Sequence, residues 1–220
     1  MGAEIKATPN LAITKEETIV KLLEPGEVGV TIELTVKDKN GKVTERRGPM
    51  RSRSFVRQFL ELWWIQSLQL PQYHPYVGIR DTGNTLRNIC QSSQIFAANA
   101  ALGDVLFGII TGTGNTAPTI NDYAIETPIA HGVAGGQLQY SAITFGAPAA
   151  DATTSQFTIT RDFANGSGGA IVVNEIGLYV KGYLYNTTYY FMTIRDVIGG
   201  GINVPNGQTL TVNYRPQATV

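Results

Sequence analysis

Charged residues are scarce in this chain of 220 residues. They make up 15% of the sequence, against about 25% in a typical soluble domain, and Lys and Arg are absent from residues 88–160. The formal net charge is zero, so no overall basic field attracts nucleic acid and we expect no specific nucleic-acid partner. A surface so poor in charge suits a subunit covered by its neighbours better than it suits a free monomer.

Cysteine and histidine are nearly missing. The single cysteine, Cys90, cannot form an internal disulfide, and with only His74 and His131 it cannot complete a zinc site. The first residues lack the basic and apolar regions of a signal peptide, and the most apolar segment, residues 55–70, is too short to span a membrane. We therefore expect no cofactor, no membrane partner and synthesis in a reducing compartment.

Residues 27–47 predict a β-hairpin. Apolar and polar side chains alternate in VGVTIELTV, and Asn40-Gly41 follows. This dipeptide favours the tight turns of hairpins because both positions accept positive φ. The alternation predicts one buried face and one solvated face.

Residues 54–68 predict a helix, with Ser52 or Ser54 as its N-cap and Pro71 as its stop. Apolar residues surround most of it, which predicts burial against a sheet or between subunits. The neighbouring tryptophans lie on different flanks, so at least one is expected to contact something besides the helix's own sheet. The interface candidates are Phe59, Trp63, Trp64 and Arg57.

After residue 102 the sequence alternates between short strands and Gly-, Asn- and Ser-rich turns, with no helical period. The predicted strand segments are 105–111, 136–145, 157–163, 170–180, 189–197 and 209–215. Strands without intervening helices predict a mainly β fold, an antiparallel and jelly-roll-like β-sandwich that carries the hairpin and one buried apolar helix. The predicted division is an N-terminal arm (1–26), the hairpin, helix and connecting segment (27–101), and the sandwich (102–220), the last two forming one compact unit.

The segment GTGNTA, residues 112–117, fits the glycine pattern of a dinucleotide-binding turn. Such a site needs a helix directly after the glycines, because the helix N-terminus binds the pyrophosphate. Pro118 and Pro128 and the polar residues between them exclude that helix. We therefore interpret the glycines as a turn at the end of a strand.

Candidates for catalysis or metal binding are few, and no sequence motif of a hydrolase or metalloprotease is present. Asp122 and Glu126 fit on one helical turn with Asn121 as its cap, and they offer two oxygen ligands for Ca²⁺, fewer than such sites use. His131 is expected to hydrogen-bond to backbone. The sequence names no catalytic residue.

Three charged residues fall on apolar faces of predicted strands: Arg161, Glu175 and Arg195. A charge on a buried face is costly unless it is paired. We therefore predict that Glu175 pairs with Arg161 or Arg195, within the subunit or across an interface.

A basic cluster precedes and begins the predicted helix. It consists of Arg46, Arg47, Arg51, Arg53 and Arg57. We expect a solvated strand end and helix start, with a patch for phosphate or for an acidic partner as the alternative.

Three long segments resemble a pattern in structural proteins of tailed bacteriophages: GTGNTAPTINDYAIETPIAHG, FTITRDFANGSGGAIVVNEIGLYV and FMTIRDVIGGGINVPNGQTLTVNYR. The shared features are a GTG-x-x-AP-x-x-x-D turn, an N-E-x-G-L-Y strand, an arginine-bearing strand and a closing strand. With SRSFVRQFL upstream, the resemblance covers most of residues 50–215. It implies a β fold and a virion protein of the tail, collar, fibre base or head decoration, made in the host cytoplasm.

The leading functional hypothesis is a non-enzymatic structural subunit that forms a symmetric homo-oligomer and docks on other virion proteins. The first alternative is a receptor- or carbohydrate-binding module that contacts a host-surface glycan through exposed aromatic side chains such as Tyr183, Tyr185, Tyr189 and Tyr190. A more remote alternative is a hydrolase of cell-wall or capsule glycans, which would need two carboxylates facing each other in a cleft.

Overall fold

The computed structural model describes residues 13–14 (backbone only), 18–52, 54–69, 71, 78–184 and 186–220. In these ranges the chain is mainly β, with antiparallel sheets and one α-helix, so the predicted fold class is confirmed. No helix in the described part of the chain has the length and apolar character that a membrane crossing requires.

The strands form two main sheets. The large sheet has nine strands, with the path β1-β8-β11-β14-β10-β9, β2 between β14 and β3, and β7 beside β11. The small sheet has the order β13-β12-β6, and β4 and β5 form a separate pair. The strands are β1 (Ile13–Thr14), β2 (Val28–Lys37), β3 (Val43–Arg51), β4 (Ile79–Arg80), β5 (Leu86–Arg87), β6 (Gly108–Gly112), β7 (Gln139–Tyr140), β8 (Thr144–Gly146), β9 (Ala149–Ala150), β10 (Thr154–Gln156), β11 (Ile159–Ala164), β12 (Ile171–Leu184), β13 (Thr187–Val204) and β14 (Thr209–Thr219).

The N-terminal hairpin is part of the large sheet. Its turn contains Gly41 at a φ of 79°, the left-handed conformation that this kind of turn favours. β2 pairs along its length with β14 and on its other edge with β3.

The prediction of a solvated face is wrong, because Thr31 and Glu33 are buried in the middle of β2. Arg46 and Arg215 both pair with the Glu33 carboxylate and so neutralise its charge.

The helix α1 spans Arg57–Leu68 and begins later than predicted. The preceding residues are extended, and the carbonyl of Ser54 and the N–H of Val56 both hydrogen-bond to β13. The serine N-caps are therefore wrong: Val56 occupies the cap position and provides no side-chain hydrogen bond. Gln69, in the left-handed conformation, ends the helix ahead of Pro71.

Most of the predicted strand segments of the second half appear as single strands, namely β6 and β11 to β14. The segment 136–145 does not, because it forms two short strands, β7 and β8. Between them the N–H of Ile143 donates to the carbonyl of Ala100 (2.9 Å) instead of continuing a strand ladder. This contact joins residues far apart in sequence, and the local alternation of side chains does not reveal it.

The hydrophobic core lies between the two sheets and includes residues of both. Burial of this apolar surface is the main driving force for the sandwich. α1 adds Leu62 and Ile65, both fully buried, and it contacts β13 and β4. Fully buried members from the sheets are Leu34, Phe163, Leu210 and Tyr214 of the large sheet and Ile109, Ile176, Phe191 and Ile202 of the small sheet.

Candidate functional site

The densest cluster of charged side chains surrounds Arg195 on β13, and we call it the Arg195 network. Nε of Arg195 lies 2.9 Å from Oε2 of Glu175 on the neighbouring strand β12, and Nη1 lies 2.7 Å from Oδ2 of Asp122. Nη2 lies 3.7 Å from the Glu126 carboxylate and 3.3 Å from Oγ1 of Thr116. Arg195 and Glu175 are both buried. Of the two predicted partners of Glu175, the structure pairs it with Arg195.

Glu175 also accepts hydrogen bonds from the backbone of the loop that follows β6. Its Oε1 accepts from the N–H groups of Gly114 (3.1 Å) and Thr127 (2.8 Å), and its Oε2 accepts from that of Glu126 (3.0 Å). One carboxylate therefore joins the first and last parts of residues 113–127 to the small sheet. Charge-assisted hydrogen bonds of this kind are stronger than those between neutral groups.

The two glycines of the GTG turn allow this close approach. A Cβ atom added to Gly112 would lie 2.6 Å from Oε1 of Glu175 and 2.6 Å from the carbonyl oxygen of Thr127. A Cβ atom added to Gly114 would lie 2.5 Å from Oε1 of Glu175 and 2.5 Å from Cβ of Glu126. Neither position has room for a side chain, so the glycines serve the contact between loop and carboxylate.

The proposed Ca²⁺ ligands are engaged within the protein. Asp122 accepts hydrogen bonds from the N–H (3.0 Å) and Oγ1 (2.7 Å) of Thr119, and it pairs with Arg195. The prediction of a helical turn from Asp122 to Glu126 is wrong, because Asp122 closes a turn that begins at Thr119. No group of three or more potential metal-binding side chains occurs among the residues that the structure describes.

The surroundings of these carboxylates favour their charged forms. Desolvation raises the pKa of Asp122, but hydrogen bonds from Thr119 and Arg195 outweigh it and leave the pKa below its ordinary value. The backbone and hydroxyl of Thr116 lower the pKa of Glu126. For Arg195, desolvation lowers the pKa, but the hydrogen bonds and charges of Asp122 and Glu175 raise it by a larger amount. The pKa of Arg195 therefore lies above its ordinary value.

Arg161, the other predicted partner of Glu175, has a different role. Its side chain is fully buried on β11, and its guanidinium lies 4.8 Å from the ring centre of Tyr140. Burial lowers its pKa to about 10, so it remains charged at neutral pH. The charge is stabilised by backbone dipoles. Its guanidinium donates hydrogen bonds to the carbonyl oxygens of Ser141, Phe107, Ile109, Ala101 and Asp104 at distances of 2.6 to 3.3 Å.

The four interface candidates separate into two groups. The exposed fractions of Trp63 and Trp64 are 54% and 46%, so each indole is about half exposed. Phe59 is half-buried, with its ring centre 4.7 Å from that of Phe55 and 5.8 Å from that of Phe96. Arg57 is exposed and pairs with a carboxylate one helical turn later. The helix is therefore buried along one side, and its outer side carries exposed apolar residues together with the Arg57–Glu61 ion pair.

The arginines before and at the start of α1 are paired with carboxylates, which agrees with the solvated interpretation and not with a phosphate patch. Arg53 lies outside the described residues. The pairs are Arg46 with Glu33, Arg47 with Glu45, Arg51 with Glu27 and Arg57 with Glu61.

The candidate binding rim has few free aromatic faces. Tyr183 is half-buried, and its hydroxyl lies 3.2 Å from Oδ1 of Asn186. The guanidinium of Arg87 lies 4.6 Å from the ring centre of Tyr189. Tyr190 stacks on Phe107, with ring centres 5.7 Å apart. Tyr185 lies outside the described residues.

His131 interacts with backbone, as predicted, since its Nδ1 accepts a hydrogen bond from the N–H of Tyr140 (3.0 Å). Its imidazole ring also lies edge-on to the Tyr140 ring, with centres 6.2 Å apart. The histidine thus belongs to the packing around β7.

An apolar groove of about 440 Å³ is lined by residues of both sheets. Leu178, Val180 and Ile194 line it from the small sheet, and Phe55, Phe59 and Phe96 close one side. No sequence pattern predicts this groove, because it depends on how segments far apart in the sequence pack against one another.

Sequence reasoning identified Glu175 and Arg195 as charged residues on apolar strand faces, but it singled out Asp122 and Glu126 only as possible Ca²⁺ ligands and not as partners of Arg195. The available signal was the combination of GTG glycines, two loop carboxylates and one charged residue on each of two adjacent strands. The comparisons with protein-family models, with curated proteins and with solved structures found no match to this chain.

Proposed function

We propose that the chain is a non-enzymatic structural subunit of a virus particle, which assembles with itself and with other particle proteins. The observation that carries the proposal is the Arg195 network. The residues that resemble the phage pattern, from the GTG turn to Glu175 and Arg195, converge there. They attach the loop of residues 113–127 to the small sheet, which is a structural role.

The chemistry of the network supports this function over a hydrolytic one. Glu175 is fully buried and engaged by Arg195 and by loop amides. Asp122 is engaged by Arg195 and Thr119. A glycan hydrolase needs two carboxyl groups that reach a sugar from opposite sides of the scissile bond. These carboxylates instead pair with the guanidinium of Arg195. Their arrangement therefore supports a structural role and not a catalytic one.

The outer side of α1 supports self-assembly. Leu60, Trp63 and Leu68 are each more than half exposed, and exposed apolar residues on one element are a common feature of interaction sites. Paired charges and uncharged polar residues elsewhere leave no strong field to repel a neighbouring copy.

The glycan-binding alternative has less support. Sugar-binding platforms use open aromatic faces, and the rings of Tyr189 and Tyr190 already contact Arg87 and Phe107. Glycan-array binding by the native chain that disappears in the double variant Tyr183→Ala/Tyr185→Ala would favour that alternative over a purely structural role.

Sedimentation velocity of the purified full chain over a wide range of concentrations tests the proposal. We expect a discrete oligomer that grows in population with concentration. A species of monomer mass at every concentration would contradict the proposed self-assembly, and hydrolysis of a cell-wall or capsule glycan by the chain would contradict the non-enzymatic role.

A further inference from the structure

We propose that two copies of this chain bind each other by placing Trp63 of each copy on the apolar groove of the other. Trp63 lies on α1, and Phe59 of the same helix lines the groove. The proposal rests on the proposed self-assembly, and it adds the surfaces and the symmetry by which two copies meet.

The groove is an apolar surface with room for an aromatic ring. Its walls include Leu178 and Val180 of the small sheet and Ile159 of the large sheet, and none of the lining residues that the structure describes is charged. Its volume of about 440 Å³ lies within the range of roughly 300–1,000 Å³ that is typical of pockets for small organic molecules. At its edge the exposed fractions of Val28 and Phe157 are 79% and 37%.

Aromatic contacts hold Trp63 beside the groove. Its ring centre lies 6.1 Å from that of Phe59 in an edge-on arrangement. Phe59 in turn contacts Phe55 and Phe96, and these three phenylalanines line the groove. Trp63 nevertheless remains 54% exposed. An indole whose position is fixed in advance loses little conformational freedom when a partner binds.

The position of Trp63 next to the groove permits a two-fold contact. If a two-fold axis lies in the interface midway between them, each indole faces the groove of the other copy. Such an interface uses the same surface on both copies and closes as a dimer. The chain thus presents both halves of one contact, an exposed aromatic ring and an apolar groove, and we infer a second copy as the occupant of the groove.

The charges closest to this surface are already paired. Arg57 and Glu61 form an ion pair on α1, and the helical geometry places them about 120–160° around the helix from Trp63. Arg51 and Glu27 lie next to the groove and also pair with each other. Paired charges beside an apolar contact fit the polar rim of an interface.

The area of the surface suits a dimer. The exposed parts of Leu60, Trp63, Val28 and Phe157, with the half-buried phenylalanines, present on the order of 500 Å² of apolar surface, since one large aromatic side chain alone accounts for about 150–250 Å². Two copies would then bury roughly 1,000 Å² in total, about the minimum for a specific interface.

The first experiment compares Trp63→Ala with Trp64→Ala by sedimentation velocity of the full chain. Trp64 is the matched control, because it is the adjacent tryptophan, is 46% exposed and already has a contact within the chain. We expect Trp63→Ala to weaken association by roughly tenfold or more, as at interface positions that dominate affinity, and Trp64→Ala to leave it unchanged. Far-ultraviolet circular dichroism checks that both variants fold.

The second experiment changes the groove. Val28→Asp places a charge at its edge, and this charge would lose its hydration when an indole binds. Val43→Asp is the control, because Val28 and Val43 are exposed valines at the first positions of β2 and β3 and only Val28 lines the groove. We expect Val28→Asp to weaken association by roughly tenfold or more and Val43→Asp to leave it unchanged.

Mixing the two variants tests the two-fold exchange. In a mixed dimer, Trp63 of the Val28→Asp copy meets the intact groove of the Trp63→Ala copy, so one of the two contacts is complete. A dimer of either variant alone has no complete contact. We therefore expect the equimolar mixture to form more dimer than either variant at the same total concentration, and native mass spectrometry separates the three dimers by mass.

The outcomes separate this proposal from the proposed function. If the native chain assembles and folded Trp63→Ala or Val28→Asp assembles equally well, the proposed contact is wrong while self-assembly stands. A mixture that forms no more dimer than the single variants overturns the exchange of Trp63 between copies. If one variant does not fold, the other still shows whether the contact exists. A native chain that is monomeric at every concentration contradicts self-assembly itself, and this proposal fails with it.

Discussion

Nε of Arg195 lies 2.9 Å from Oε2 of Glu175, across neighbouring strands of the small sheet and away from solvent. Two charges in such a place are tolerated only when each is paired and hydrogen-bonded. Here the arginine also pairs with Asp122, and the glutamate accepts loop amides. The pair is therefore the point at which the loop after β6 is attached to the sandwich.

Removing the Glu175 carboxylate is expected to destabilise the protein strongly. Glu175→Ala leaves Arg195 with one partner fewer and several loop amides without an acceptor, and breaking a buried pair in this way costs about 3–5 kcal/mol. The free energy of unfolding in urea measures the effect. Glu24→Gln, at an exposed carboxylate, is the control and is expected to change stability by less than about 0.5 kcal/mol. Equal stability of the two variants would contradict the role assigned to Glu175.

Reversing the pair is not expected to restore stability. In the double variant Glu175→Arg/Arg195→Glu, the arginine at 175 would face the N–H groups of Gly114, Glu126 and Thr127, which are donors and cannot accept from a guanidinium. Urea denaturation of the double variant should therefore give a midpoint well below that of the native chain. A native midpoint would show that the loop amides contribute little.

Gly114→Ala is expected to lower the stability of the protein by displacing the loop from Glu175. The added methyl would lie 2.5 Å from Oε1 of Glu175, and overpacking of this kind costs about 1–3 kcal/mol. Gly135→Ala is the matched control, because a Cβ atom there meets nothing within 4 Å. Thermal unfolding followed by circular dichroism compares the two, and a loss of stability in Gly135→Ala equal to that in Gly114→Ala would argue against the close approach as the cause.

Arg161→Lys is expected to be far from conservative. A lysine offers three donors on one atom, whereas Arg161 reaches carbonyl oxygens on several backbone segments at once. Each buried carbonyl left unsatisfied costs about 1–3 kcal/mol, so a loss of several kcal/mol is expected by chemical denaturation. Arg57→Lys is the control, since an exposed lysine can also pair with Glu61. Similar midpoints for the two variants would contradict the importance of the carbonyl contacts.

The contribution of Asp122 is expected to depend on pH. Its pKa is lower in the folded chain than in the unfolded chain. The stability it contributes is therefore fully present above the unfolded value of about 3.9 and is lost as the pH falls through the folded value. The difference in free energy of unfolding between the native chain and Asp122→Asn should stay constant from about pH 7 to about pH 5 and shrink below about pH 4. A difference that does not change with pH would contradict the pairing with Arg195.

The sequence predicts the strands and the hairpin because their patterns are local. Alternation in β2 and the turn at Gly41 are set by residues next to one another. The start of α1 is not local, since residues 54–56 pair with β13 from far along the chain. The exposure of Trp63 and Trp64 likewise depends on which side of α1 meets the core, and the number of apolar residues in a helix does not tell which of them are buried.

The candidate site also combines features that local sequence predicts with features that depend on distant contacts. Charges at Glu175 and Arg195 within apolar strands predict a buried pair, and the register of β12 and β13 brings them together. The three backbone N–H groups that donate to Glu175 cannot be predicted from residue types, because nearly every residue has such a group. Their only sequence signal is the pair of glycines at 112 and 114, which by themselves also fit a nucleotide-binding turn.

Mass spectrometry of purified phage particles whose genome encodes this chain tests the central claim most directly. If the chain is a structural subunit of the particle, its peptides are expected in the purified particles at a stoichiometry of several copies per particle. Recovery of the chain from the infected-cell lysate but not from the purified particles would contradict the claim.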